Sequence, residues 1–236
     1  VLAMQITNYI NNHKLFSSDQ HGFRSFHSCE TALHEILSLI NKIRMDRLIG
    51  LLLFIDFRKA FDLVDSLILL HKLSKYGFSN SAIKLLENYF HNRVQKTKYN
   101  GVFSKLNDIK LGVPQGSVLG PLLFLLFIND LAFFLKEFIK KYFADDTTLG
   151  LVDNDLNTLL KRFSENIKLL TTWCKSNRLD INWAKTKAMF ISNKYGIIYP
   201  PTLLIERNEI EVVSSFKLLG ITLDSKLNFL KHIGEL

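Results

Sequence analysis

The chain has 236 residues, 47% of them hydrophobic and 22% charged, with 11 Gly and 4 Pro; this balance supports a substantial buried core and excludes a disordered or low-complexity protein. Lys and Arg number 30 against 22 acidic residues, a formal charge of +8 that favours a polyanionic partner, nucleic acid before anionic membrane. Cys29 and Cys174 lie far apart without zinc-like spacing, which excludes a disulfide framework or zinc knuckle and fits a reducing, intracellular compartment, nuclear or cytoplasmic rather than secreted.

The chain opens at Val1 with no signal-peptide pattern and stops after an apolar-periodic stretch, so it reads as a fragment of a longer protein. Ser28 is placed to cap a helix through Leu33, Ile36, Leu37, Ile40 and Ile43, with Glu30 in its first turn and an end near Arg47, where Ile49-Gly50 breaks the pattern. Leu51-Leu52-Leu53-Phe54-Ile55 is a short unbroken apolar run, expected as a strand buried on both faces and ending at Asp56. Residues 67–76 and 81–91 read as two short helices, the first stopped by Gly77.

A hairpin over 93–110 is expected next, turning at Asn100-Gly101, a dipeptide that tolerates positive φ. It carries Arg93, Lys96, Lys98, Lys105 and Lys110 with Tyr99 and Phe103 between them, a pattern that suits a nucleic-acid backbone with stacked bases and equally a solvated edge guarded by Lys. Residues 118–135 are almost wholly apolar. Asn129, Asp130 and Pro121 make this stretch a buried core helix rather than a membrane span. Asp153 or Asn154 opens a long amphipathic helix with Leu156, Leu159, Leu160, Phe163, Ile167, Leu170 and Cys174 on one face. Residues 179–192 turn strand-like, and 202–223 hold two further strands around 206–209. Without a repeat or a long linker, a single mixed α/β unit is expected.

Three blocks carry chemistry: Asp56 after a buried strand, Gly112-Val113-Pro114-Gln115-Gly116-Ser117 before an apolar helix, and Tyr142-Phe143-Ala144-Asp145-Asp146. Side chains alternate along a strand, so adjacent acids aim at one point only where the backbone turns, and their repulsion calls for a cation. Taken alone, the pair reads either as a solvated loop or as a metal site.

Together the blocks resemble a reverse transcriptase of the non-LTR (LINE-like, jockey-type) retrotransposon branch. The resemblance runs through Gln20-His21-Gly22-Phe23-Arg24, Ile55-Asp56-Phe57-Arg58-Lys59-Ala60-Phe61-Asp62, residues 112–124, Ile128-Asn129-Asp130-Leu131 and the Asp145-Asp146 block. It continues through Trp173-Cys174, Asn177-Arg178-Leu179, Asn182, Lys185-Thr186 and residues 216–224. It covers nearly the whole chain. It implies an RNA-directed DNA polymerase of α/β (α+β) class: a right-hand palm with fingers, an antiparallel palm sheet backed by helices and most of the thumb missing. Fingers would occupy 1–50 and 67–112, palm 51–66 and 113–205, and the primer-grip region and start of the thumb 206–236.

The resemblance further implies that Asp56, Asp145 and Asp146 hold two Mg²⁺ ions, Mn²⁺ being an alternative, with an RNA template, a DNA primer and dNTPs as partners. Hard cations take carboxylate, phosphate and water oxygens, and a pair of them about 3.5–4 Å apart suits nucleotidyl transfer. Phe61 would stand under the incoming sugar and exclude a 2′-hydroxyl, and Gln115 near the nucleotide and template base. Arg24, with Arg58 or Lys59 behind it, would face the triphosphate; Lys185 would protonate pyrophosphate, and Phe216-Lys217-Leu218-Leu219-Gly220 would grip the primer. The chain departs from the family pattern at Ser25-Phe26-His27, Ser66 and Phe143, none of them a metal ligand. Two other readings stand beside this one: a catalytically inactive remnant that binds nucleic acid, and an RNA-dependent RNA polymerase, against which Phe61 argues.

Overall fold

The computed structural model describes residues 1–235. In chain order its first elements are α1 (Leu2–Asn12), α2 (Cys29–Met45), β1 (Ile49–Ile55), α3 (Ser66–Lys75) and α4 (Asn80–Phe90). Four two-residue strands follow, β2 (Val94–Gln95), β3 (Lys98–Tyr99), β4 (Val102–Phe103) and β5 (Asn107–Asp108), then α5 (Leu119–Ile128) and α6 (Leu131–Phe134). The remainder runs β6 (Ile139–Phe143), β7 (Asp146–Asp153), α7 (Leu156–Asn177), β8 (Lys187–Ser192), β9 (Thr202–Ile205), β10 (Asn208–Glu211), β11 (Ser215–Leu218), β12 (Ile221–Asp224) and α8 (Leu230–Gly234). It is a mixed helix and sheet protein that divides into two compact units.

The larger unit contains residues 18–58, 131–176 and 180–236. Its centre is a four-stranded sheet in the order β6-β7-β1-β8, antiparallel throughout. All seven residues of β1 are buried, as a central strand with an unbroken apolar run requires. Helix α2 starts where the sequence says it should: the Ser28 hydroxyl accepts from the Thr31 amide and the Thr31 side chain answers the Ser28 amide, a reciprocal capping box. Leu33, Ile36, Ile40 and Ile43 from α2 join Leu52 and Phe54 of β1, Met189 and Ile191 of β8, and Leu218 and Leu223 in one apolar cluster. Phe54 also stacks on Phe216 with ring centroids 4.2 Å apart.

Strand β1 begins at Ile49, two residues before its expected start. Gly50 is a strand residue here because its missing side chain admits α2: a Cβ at that position would come within 2.6 Å of Ile43 Cδ1. The long amphipathic helix is α7, opened by Asp155, whose carboxylate accepts from the Thr158 amide at 2.8 Å. Leu159, Phe163, Ile167, Leu170 and Cys174 of its expected stripe are buried, and Trp173 with them. Of the strand-like stretch 179–192 only β8 is a strand, and 202–224 forms two hairpins, β9-β10 and β11-β12.

The smaller unit contains residues 1–17, 59–130 and 177–179. Asp65 caps α3 through the Leu67 and Ile68 amides, and Ser79 caps α4 through the Ala82 amide. The basic hairpin is broken into two short ladders, β2-β5 and β3-β4, and turns at Asn100 and Gly101 with φ of 47° and 81°, the positive values expected of that dipeptide. The apolar stretch expected as one helix over 118–135 divides: α5 closes at Ile128 and α6 is a separate turn. Asn129 is the reason within this unit. Its buried side-chain amide donates to the Leu15 carbonyl at 2.8 Å and accepts from the Ser17 amide at 2.9 Å, so its polar groups are satisfied by the partly buried loop at 15–17. Lys72 and Asp130 form a largely buried ion pair at 2.6 Å, with the ammonium also donating to the Phe127 carbonyl at 2.7 Å. Helix α1 had no counterpart in the sequence reading. It is held to this unit by Tyr9, whose hydroxyl donates to the Tyr76 carbonyl at 3.1 Å.

Candidate functional site: a carboxylate turn beside a strand end

Asp56 follows β1 directly, Asp145 lies in the turn between β6 and β7, and Asp146 is the first residue of β7. The ladder brings these points together, because Ile55 pairs with Thr147 and Phe143 with Asp146, so β1 runs out beside the β6-β7 turn. The backbone reverses at Ala144, which takes a left-handed φ of 56°, and such a turn releases adjacent acids from the strict alternation of a strand.

That strained turn is held from below by the Gln20-His21-Gly22 segment. The buried Gln20 side-chain oxygen accepts from the Gly22 amide at 2.8 Å and from the Ala144 amide at 3.1 Å. The His21 amide donates to the Tyr142 carbonyl at 2.8 Å, and the Tyr142 amide donates to the Asp19 carbonyl at 2.9 Å. Gly22 permits the approach, since a Cβ there would lie 2.3 Å from the Ala144 nitrogen. The turn bearing Asp145 and Asp146 is therefore fixed by a segment more than a hundred residues earlier.

Asp56 is oriented by Asn182, whose side-chain amide donates to Asp56 Oδ2 at 2.8 Å while its backbone amide donates to the Asp56 carbonyl at 2.7 Å. Lys185 lies one tight turn later, its amide donating to the Asn182 carbonyl at 3.1 Å. Asp56, Asp146, Thr147, Lys185, Phe216 and Lys217 line one concavity of about 530 Å³. Sequence reasoning quoted Gln20 and Asn182 within motifs but gave neither a role. Their signal was present only as polar residues in family blocks, with nothing local to say what they touch.

Partial desolvation raises the Asp145 carboxyl above the usual aspartate range, and the charge of Asp56 adds to it. Asp146 is raised by desolvation first, then by the charges of Asp145 and Asp56. None of the ion pairs among the described residues involves any of the three acids. The side chains do not converge on one point: among the described residues, no group of three or more His, Cys, Asp or Glu stands in position to hold a metal ion. Like charges that repel in this way have a physical reason to fan apart, and a divalent cation would supply the attraction that gathers them. An all-oxygen donor set without a basic ion-pair partner fits a hard cation such as Mg²⁺.

The remaining sequence-predicted residues fall in two places. Arg24, in the larger unit, donates to the Gln20 carbonyl at 2.9 Å, so its head group sits against the segment that supports the turn. Phe61 and Gln115 belong to the smaller unit. Phe61 stacks on Phe124 with centroids 4.2 Å apart, and the Val113 amide donates to its carbonyl at 2.9 Å. Gln115 donates to Asp62 Oδ1 at 2.8 Å. Gly112, with φ of 89°, makes its close approach to the chain itself, since a Cβ would lie 2.7 Å from the Asp62 carbonyl oxygen. Lys59, Asp62, Arg93, Gln95 and Gln115 contribute to an open concavity of about 530 Å³ in this unit.

A family profile described as reverse transcriptase (RNA-dependent DNA polymerase) matches residues 1–223. The chain is 30% identical to a probable RNA-directed DNA polymerase from transposon BS of Drosophila melanogaster, across 99% of this chain and 26% of that protein. It is 28% identical to the X-element counterpart of the same organism, across 100% of this chain and 26% of that protein, and 27% identical to the jockey counterpart, across 92% and 24%. The chain thus spans about a quarter of the length of these relatives. Among solved structures, apo telomerase from Candida tropicalis shares the fold with a TM-score of 0.63 at 12% identity, over 96% of this chain and 39% of that one. Telomerase from Candida albicans, in complex with a fragment of telomeric RNA, gives a TM-score of 0.59 at 14% identity, over 94% of this chain and 38% of that one.

Proposed function

Because the chain belongs to the reverse transcriptase family, we propose that it is the polymerase portion of a non-LTR retrotransposon protein and copies an RNA template into DNA by adding dNTPs to a primer 3′-hydroxyl. The observation that carries the reading is the meeting of Asp56, at the end of a buried strand, with the Asp145-Asp146 turn, where desolvation and like charge raise both turn carboxyls. Within this reading the four-stranded sheet, with α2 packed on it, belongs to a polymerase palm, and the helices α3 and α4 with the basic hairpin belong to fingers. The proposed extents are 51–66 and 113–205 for the palm, 1–50 and 67–112 for the fingers, and 206–236 for the primer grip and the start of the thumb.

Asp56, Asp145 and Asp146 would hold two Mg²⁺ or Mn²⁺ ions. When bound, the ions lower the pKa of the attacking hydroxyl and neutralise the departing pyrophosphate. The chain's own residues do the rest. Asn182 keeps one Asp56 oxygen turned by a hydrogen bond, leaving the other to face the substrate. Gln20 keeps the turn from relaxing, so the backbone that carries the turn acids is fixed in advance and only their side chains need move. The primer 3′-hydroxyl would give up its proton to solvent water as its oxygen forms the bond to the α-phosphorus and the bond to pyrophosphate breaks. Lys185, exposed beside Asp56 and Asp146, supplies the proton that the leaving pyrophosphate takes up. Phe61 is the proposed barrier to a 2′-hydroxyl, its ring set by the stack on Phe124. Gln115 is the proposed contact to nucleotide and template, and Arg24 the proposed cation for the triphosphate.

Primer extension on an RNA template with Mg²⁺ and dNTPs tests the reading. Template-directed addition of dNTPs, lost in Asp145→Asn, is expected. Extension indifferent to Asp145→Asn, or a preference for NTPs, overturns it. Mg²⁺-dependent binding of a dNTP, absent in the same variant, is a second readout that needs no turnover.

A further inference from the structure

The sheet has a second end. Ile49 of β1 pairs with Asp153 and Ser192, whereas Ile55 pairs with Thr147, so the start of β1 lies about 20 Å of strand away from the carboxylate end. There the larger unit has an open concavity of about 990 Å³ lined by Arg44, Arg47, Asn193, Lys194, Tyr195 and Lys226 among others. Three separate segments bring these cations together: the end of α2, the loop after β8 and the turn after β12.

The concavity is built rather than incidental. Arg44 Nε donates to Asn193 Oδ1 at 2.9 Å and its Nη1 to the Lys226 carbonyl at 2.6 Å, while Asn193 returns a bond to the Arg44 carbonyl at 3.2 Å. Lys194 is tethered to the Asn154 carbonyl. None of the four cations forms an ion pair among the described residues. Of the nearby acids, Asp224 and Asp153 are engaged by other groups, while Asp46 stands between Arg44 and Arg47 in the chain. Asp224 accepts from the amides of Lys226, Asn228 and Phe229 at 2.9, 3.2 and 2.8 Å, and Asp153 pairs with Arg162 at 2.9 Å. Beside these cations Tyr195 is 100% exposed, presented by a loop that turns at Gly196 with φ of 74°.

We infer that this concavity is a second nucleic-acid site, separate from the carboxylate end, which holds a single strand by its phosphates with a base stacked on Tyr195. Clustered cations recognise the backbone and an aromatic face recognises any base, the two elements of sequence-tolerant single-strand binding. An anionic membrane surface would use the same cations. The fully exposed Tyr195 ring favours a nucleotide instead, because an aromatic face held beside clustered cations stacks on a base.

The test uses fluorescently labelled oligo(U) RNA, the matching DNA, and phosphatidylserine vesicles, with anisotropy or flotation read against salt. It is run in the Asp145→Asn chain, so it stands or falls without DNA synthesis and independently of the proposed polymerase activity. Arg47→Gln/Lys226→Gln should weaken oligonucleotide binding roughly tenfold and lower the salt slope by about 1.4. Tyr195→Ala, at a fully exposed position, should weaken it about 5- to 150-fold without altering that slope. RNA carrying 4-thiouridine should form a photo-adduct on the peptide containing Tyr195, and comparison with 4-thiothymidine DNA tells which strand is preferred. The inference is overturned by unchanged affinity and slope in these variants, by adducts that map only elsewhere, or by loss of vesicle binding with oligonucleotide binding intact.

Discussion

Gln20 is the residue on which the site geometry depends most and which the chemistry does not require. Replacing it by Met keeps nearly the same volume and apolar stem but removes the oxygen that accepts from the Gly22 and Ala144 amides at 2.8 and 3.1 Å. Both amides are in buried surroundings, and Gln20 itself is only 4% exposed, so water cannot replace the lost acceptor. Each unsatisfied amide costs about 1–3 kcal/mol, partly offset by about 1 kcal/mol from burying a more apolar side chain, which leaves a net loss of roughly 1–5 kcal/mol. With a urea m-value near 2–3 kcal/mol/M the denaturation midpoint should fall by about 0.3–2.5 M. The local readout is sharper. If the Gln20 bond protects the Ala144 amide, losing its roughly 1–3 kcal/mol should accelerate hydrogen exchange there about 5- to 160-fold, while amides of α7 accelerate no more than global stability requires. An unchanged Ala144 exchange rate with a midpoint shift below about 0.2 M would refute the claim that Gln20 holds the turn.

The raised carboxyls of Asp145 and Asp146 give a pH prediction whose sign follows from linkage. The folded chain holds those protons more tightly than the unfolded chain, so their stabilising contribution is complete below about pH 4 and is lost as pH rises through the raised values. Without divalent ions, Asp145→Asn and Asp146→Asn should therefore melt above the parent at pH 7 and lose that advantage below about pH 4; scanning calorimetry at both pH values checks it. Mg²⁺ should raise the parent's melting temperature at pH 7 and leave Asp145→Asn/Asp146→Asn unmoved, and a chelator should reverse the gain. Asp130→Asn removes the carboxylate charge that faces the largely buried Lys72 ammonium and should cost about 3 kcal/mol, whereas Lys72→Met/Asp130→Asn should recover part of that loss in urea titrations. Phe61→Ala should lower the preference for dNTPs over NTPs roughly 10- to 100-fold in single-nucleotide incorporation, as loss of a steric contact does.

Much of this protein is legible wherever the signal is local. The Ser28 cap, the apolar run of β1, the Asn100-Gly101 turn and the stripe of α7 each lie within a few residues of the structure they specify, and each appears in the fold. The order of the acidic blocks was enough to point to a polymerase family. It was not enough to say what holds the acids. Gln20 meets Ala144 across 124 residues of sequence and Asn182 meets Asp56 across 126, and no periodicity or propensity carries a contact of that separation. Gly50 reads as a break until Ile43 is seen to fill the space a side chain would take, and Asn129 reads as an interruption until its amide is seen to serve the loop at Leu15 and Ser17. Local sequence determined which elements form, because capping and hydrophobic period act over one or two turns. The tertiary structure alone decided where Asp56 and the Asp145-Asp146 turn stand and how firmly, because strand register and buried hydrogen bonds exist only once distant segments are packed together.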